Sequence, residues 1–313
     1  MTFVNVGAVS PALDYRCAPW TRAQGVDPIG SALTCDTFVL VDMPPPWPSD
    51  IGAIPAFADL LGRCPPRTRL LAVRPHADDA DVPGVRVTIW RRTDSSRFAG
   101  TDHVVPAERL AGQVARLLEA PRSDPGHLPA PADVLLCGHG ARDRCCARLG
   151  TRLALDVART WPGVRVRRCS HTGGHRFAPT GFTLPDGRAW GFLDVDAIDA
   201  VVRRLGPPPL RQHYRGTTAL DAWGQVAERE LFERFGWAWL DHQLTSSRTD
   251  IAPGGRSATV ELTWRGPTGP GTADATIEVV RDVPTLRCGE APELAEKTAP
   301  ELALRSISLR GTG

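Results

Sequence analysis

The chain has 313 residues, 42% of them hydrophobic, enough for about two domains with cores of their own, and its formal net charge of +2 gives no bulk pull toward nucleic acid. No apolar run approaches the ~20 residues that a bilayer crossing needs, and the opening MTFVNVGAVSPALDYR lacks a basic segment followed by an apolar one, so a cytoplasmic protein with no membrane partner is expected. Positive charge is nearly all arginine, and the closest approach to a basic patch, VRVRR at 164–168, alternates as a half-buried strand does; no nucleic-acid partner is expected.

In chain order, TFVLVDM (37–43), closed by PPPWP, reads as a buried strand entering a loop. Residues 51–61 read as a helix, RLLAVRP (69–75) and VRVTIWR as strands, and 106–120 as a helix with Leu110, Val114, Leu117 and Leu118 on one face. The proline-rich stretch 121–131 reads as a linker. The same order then returns: a strand at 133–136, a helix near 150–160, a strand at 164–168, short strands around Phe182 and Trp190, and a helix over 196–205 ended by GPPP. This recurrence predicts an α/β fold with two units of thioredoxin-like element order, an N-terminal domain over 1–125 and a second over 126–210; because it rests on element order and not on residue identity, a single larger domain is the alternative. Residues 217–235 read as a helix, and ATVELTW and ATIEVV as strands, of a small α+β part over 211–313.

Four of the eight cysteines fall in two clusters, CGHGARDRCCARLG (137–150) and CSHTGGHRF (169–177). In a reducing compartment that number of cysteines suits metal or redox chemistry better than a disulfide framework. Cys137 ends a predicted strand and Cys146 opens a predicted helix, where α/β folds present reactive groups. His171 and His175 stand four apart, but Gly173 and Gly174 between them argue for a tight loop that lets both imidazoles converge. Two Cys and two His can hold tetrahedral zinc or a [2Fe-2S] cluster, and the wide C-x8-C span suits the larger object better than the C-x2-4-C of zinc knuckles. A second ligand set, the C-x-H pairs Cys137/His139 and Cys169/His171, competes with it.

The runs CGHGARDRCC, HTGGHRFAPT and LPDGRAWG, with CAPWTRAQGVDPIGSA, PPPWP and YRGTTALDAWGQVAERE, resemble the sucrase/ferredoxin-like family of thioredoxin-like [2Fe-2S] proteins. The resemblance spans most of Cys17 to Glu230 and implies a cluster held by Cys137, Cys146, His171 and His175. It implies single-electron transfer, coupled to protons if the outer imidazole nitrogens face water, between redox partner proteins, and not sugar cleavage, for which no convincing carboxylate pair is found. Two other readings use nearby residues: a zinc-structured Cys2His2 binding module, and a thiol-disulfide oxidoreductase acting through Cys145 and Cys146. Cys17, Cys35 and Cys64 are expected as buried small hydrophobes, Cys169 as packing beneath the histidine loop, and His139 as orienting a loop through a hydrogen bond. Arg142 and Asp143 are expected to brace the cysteine loop, and Trp161, Trp190, Trp237 and Trp239 to be core or rim residues. Cys288, in TLRCGEAP, resembles a recurrent Cys-Gly feature of the family without an assignable chemistry.

Overall fold

After a short helix, α1 (Cys17–Ala23), the run TFVLVD forms β1 (Thr37–Asp42), whose four central residues are buried. The computed structural model describes residues 16–75, 83–120, 128–157, 161–267 and 269–311. Next come a 3-10 turn at Ile51–Ala53 and α2 (Pro55–Leu61), opened by a proline whose missing N–H is no loss at a first helical position. Strands β2 (Thr68–Val73), β3 (Val85–Arg92) and β4 (Phe98–Val105) follow, then α3 (Leu110–Glu119). β4 is missing from the predicted order because FAGTDHVV mixes Gly, Asp and Thr and shows no clean alternation. Of the expected linker, 121–127 lie outside the described residues, and β5 (Leu128–Pro129) pairs with β4.

The second unit repeats the first: β6 (Ala132–Cys137), a π-helical turn at Cys146–Gly150 running into α4 (Thr151–Asp156), β7 (Val164–Cys169), β8 (Gly181–Leu184), β9 (Arg188–Trp190) and α5 (Val195–Arg203). Residues 158–160, the expected end of the helix after β6, lie outside the described residues. A short α6 (Leu210–His213) leads to β10 (Tyr214–Thr217).

All ten strands form one sheet in the order β10-β9-β8-β6-β7-β2-β1-β3-β4-β5. Within it, β2-β1-β3-β4 and β7-β6-β8-β9 share one pattern: the first two strands of each unit are parallel and the third and fourth add antiparallel. The fold is α/β and thioredoxin-like. The units meet where β2 and β7 pair antiparallel at Val73 and Cys169. β1 is apolar at every central position because both faces are covered: Val39 and Val41 pack with Phe57, Leu60, Leu110 and Val114 of α2 and α3, while Phe38 and Leu40 pack with Leu135 and Phe182 of the second unit.

A buried ion-pair network also joins the units. Asp133 on β6 is salt-bridged to Arg165 (3.1 Å) and Arg167 (2.8 Å) on β7 and accepts a hydrogen bond from the Trp90 indole N–H (2.9 Å) on β3. Arg165 reaches Asp102 on β4 at 2.6 Å. Two of the arginines of VRVRR are therefore committed to internal ion pairs.

Toward the C-terminus, the helix expected from residue 217 starts later, as α7 (Ala222–Phe235), because the Asp221 side chain caps it by accepting from the Gly224 N–H (2.7 Å). Residues 214–217 instead extend the large sheet, so strand pairing continues past residue 210. Strands β11 (Gln243–Ile251), β12 (Ser257–Gly266), β13 (Gly269–Pro284) and β14 (Thr298–Arg310) form a separate antiparallel sheet in that order. Glu228 on α7, fully buried, accepts from Arg188 (2.6 Å), Tyr214 (2.8 Å) and Trp239 (2.6 Å), tying this part to the second unit. Trp161, Trp190 and Trp239 are core residues, and Trp237 packs at its margin.

Candidate metal centre

Two loops at the same end of β6 and β7 bring Cys137, Cys146 and His171 together, with His175 nearby but outside that group. The first leaves β6 at Cys137 and turns through 138–145 into the π-helical turn that begins at Cys146. Its return is close: a Cβ on Gly150 would lie 1.9 Å from the Cys137 carbonyl oxygen, so only glycine lets the helix start pack against the strand end. The second loop leaves β7 at Cys169. Gly173 (φ +86°) and Gly174 (φ +66°) are both in the left-handed region, which breaks any helix through H-T-G-G-H.

Ligand atoms of Cys137, Cys146 and His171 lie within 4.8 Å of one another. His171 Nδ1 is buried with no hydrogen-bond partner, an arrangement that a metal ion would complete. A hydrogen bond from Cys146, reinforced by His171, holds the Cys137 thiol well below its ordinary range against the opposing effect of burial, while the same bond and burial push Cys146 up. His175 stands beside them, its ring centroid 6.1 Å from that of His171, but its Nδ1 faces the Asp143 carboxylate (3.2 Å) and the Cys17 sulfur (3.4 Å). With Asp143 accepting from Nδ1–H, the lone pair on Nε2 is free to bind metal, the usual way a carboxylate orients a ligating imidazole.

His139 has the loop-orienting role expected of it. Its Nε2 lies 2.8 Å from the Pro48 carbonyl, and its Nδ1 lies 3.2 Å from the His171 backbone N–H, so a proton on Nε2 satisfies both. Both nitrogens are engaged, which weighs against the C-x-H ligand set. Cys169 is fully buried among apolar residues, as expected. Asp143 braces the cysteine loop by accepting from the Cys145 N–H (2.8 Å), whereas the exposed Arg142 contributes its backbone N–H to the His139 carbonyl. Burial pushes the Asp143 carboxyl up, but His175, with help from Cys145 and Cys288, outweighs it and holds the group at about 2.

The vicinal thiols part company. Cys146 bonds to Cys137, while the Cys145 sulfur lies 3.2 Å from that of Cys288. The two thiols thus face different partners. Cys17, expected as a small core residue, is buried but belongs with Asp143, Cys145 and Cys288 in a second group whose ligand atoms also lie within 4.8 Å of one another. Neither Cys17 nor Cys288 carried a local motif that could reveal this.

Two arginines, Arg215 buried and Arg69 half-buried, also escape the sequence reading. Arg215, on β10, donates to the Gly173 carbonyl (3.0 Å), and a Cβ on Gly174 would lie 2.5 Å from its guanidinium. Burial and the neighbouring Arg176 lower its pKa to about 10. Arg69, on β2, donates to the His171 carbonyl. Their positive charge faces Cys137, and that of Arg215 faces Cys146 too. YRGTT was a recognisable run, but nothing in it marked the arginine as facing the thiols.

Thiols and imidazoles gathered at the strand ends of a duplicated thioredoxin-like sheet define an α/β protein able to hold metal at that edge. A family model described as sucrase/ferredoxin-like matches residues 28–216, more than half of the chain, and the chain belongs to that family. Comparison with curated proteins and with solved structures gave no match.

Proposed function

We propose that the chain is an electron-transfer protein in which Cys137, Cys146, His171 and His175 hold a [2Fe-2S] cluster. The observation that carries this reading is the convergence of ligand atoms of Cys137, Cys146 and His171 within 4.8 Å of one another, on an imidazole whose buried Nδ1 has no hydrogen-bond partner. The cluster, when bound, supplies a reversible one-electron site whose neutral imidazoles raise its potential relative to all-thiolate ligation. The chain's own residues do the rest. Cys137 and Cys146, both fully buried, flank one loop, and His139 pins the backbone of the histidine loop. Asp143 sets the tautomer of His175, while Arg69 and Arg215 place positive charge where an added electron is favoured.

The test is the visible and electron paramagnetic resonance spectra of anaerobically purified protein, with iron and acid-labile sulfide measured on the same sample. Coloured protein with about two irons and two sulfides per chain supports the proposal. His171→Cys and His175→Cys should keep a cluster with an altered spectrum and a lower potential. Colourless protein that carries only zinc would favour the zinc-structured module. Loss of the cluster in Cys169→Ala with an unchanged spectrum in His175→Ala would favour the C-x-H set.

A further inference from the structure

Beside that site lies a second set of donors, drawn from segments far apart in the chain. Cys17 opens α1, Asp143 and Cys145 belong to the cysteine loop, and Cys288 sits in the connection between β13 and β14. Their donor atoms all lie within 4.8 Å of one another. The Cys288 sulfur is 3.2 Å from that of Cys145 and 3.6 Å from that of Cys17. Asp143 Oδ1 is 3.4 Å from the Cys288 sulfur and 3.5 Å from that of Cys17. A tetrahedron with metal–sulfur bonds of about 2.3 Å has edges of about 3.8 Å, and an edge to a carboxylate oxygen is somewhat shorter. The spacing therefore suits one small ion. It is too long for a disulfide, whose sulfurs are about 2.05 Å apart.

The carboxylate argues against simple thiol packing. Asp143 is 2% exposed at its side chain, and apart from His175 and the Cys145 and Cys288 backbone N–H groups its neighbours are sulfur atoms, which are weak donors. A buried carboxylate among three thiols is the donor set of a soft, tetrahedral divalent cation. The two oxygens also divide their work: Oδ1 faces the Cys288 sulfur while Oδ2 faces His175. Cys17 and Cys288 both lie outside the family-matched span of 28–216.

We infer that Cys17, Cys145, Cys288 and Asp143 form a separate structural site for a single thiophilic divalent cation, zinc foremost. The ion cross-links the first helix and the β13–β14 connection to the cysteine loop. The inference does not depend on which group Cys137 and Cys146 hold, because none of their donor atoms is shared.

Elemental analysis of protein purified with zinc in the medium, before and after exhaustive dialysis, tests it. About one zinc per chain is expected, falling several-fold in Cys17→Ser and in Cys288→Ser, with iron content and circular dichroism kept and, in Cys288→Ser, the visible spectrum kept as well. Cys35→Ala, a control outside the group, should retain its zinc. Because a serine variant could lose metal by misfolding, the wild type is also loaded with cobalt(II). Thiolate-to-cobalt absorption should appear there and weaken in a Cys288→Ser sample of native circular dichroism. The inference is overturned if the wild type takes up neither zinc nor cobalt, if both serine variants keep the ion, or if peptide mapping finds Cys145 and Cys288 joined as a disulfide. Loss of iron and colour in Cys288→Ser would overturn it too, by assigning these thiols to the cluster. A colourless wild type that still binds zinc through Cys288 would instead refute the cluster and leave this site standing.

Discussion

The two thioredoxin-like units share a strand order but not a chemistry. In the second, the loops after β6 and β7 deliver Cys137, Cys146, His171 and His175; in the first, the loop after β1 is PPPWPSD, without a thiol or an imidazole. That loop has another use. Its Pro48 carbonyl accepts from His139, and its Trp47 ring meets the His139 ring edge to face at 5.8 Å. Ser170, just past β7, accepts from the Ala72 N–H of β2 at 3.1 Å. The first unit thus acts as scaffold for the loops of the second. A shared backbone plan fixes where loops emerge, and the loop residues decide what is done there.

The largest break in this comparison should come from the ligand thiols. Cys137→Ser or Cys146→Ser should abolish iron content and colour, whereas Cys35→Ala and Cys64→Ala, in the first unit, should keep both within error; iron analysis and visible spectra read the contrast. Separating the units comes next. Asp133→Ala leaves Arg165 and Arg167 buried without their shared carboxylate and should cost about 3–5 kcal/mol in urea unfolding, with Asp133→Asn milder. Removing the support that the first unit gives should be smaller. His139→Ala loses two hydrogen bonds, for about 1–3 kcal/mol, and should broaden the spectrum of the metal-loaded protein without bleaching it.

The smallest effect sharpens the comparison through pH. Burial pushes Asp102 up, but hydrogen bonds from Arg165 and Thr88 outweigh it and hold the carboxyl below its ordinary value of 3.8. With the folded value depressed, its contribution to stability is fully present above that ordinary value and is lost as pH falls through the folded one. Acid unfolding followed by circular dichroism should show a shallower acid limb in Asp102→Asn. An unchanged limb would mean that the bridge between the units carries no pH dependence.

The strand-helix alternation and the Cys/His clusters were legible because both are local: TFVLVD shows its burial in its own composition, and the HTGGH spacing marks its loop. The joining of the units into one sheet was not legible, since the β2–β7 junction is a long-range pairing that no local periodicity encodes. The same is true of the second thiol group. Cys17 looked like an ordinary buried cysteine because its partners lie 126 and 271 residues away. The late start of α7 turned on one capping side chain, Asp221, inside a stretch that otherwise reads as helix throughout.

The nearness of Cys17 to Cys288 also sets a timetable for biosynthesis. Residues 137–175 leave the ribosome more than a hundred residues ahead of Cys288. At about 5–20 residues per second, a nascent chain spends roughly 5–20 s with the first donor set emerged and the second missing one thiol. During that interval Cys17 and Cys145 are open to the surrounding thiol and metal pools. Arrival of the β13–β14 connection closes the interval, so a ribosome that pauses within the C-terminal sheet prolongs the exposure of two sulfurs made long before.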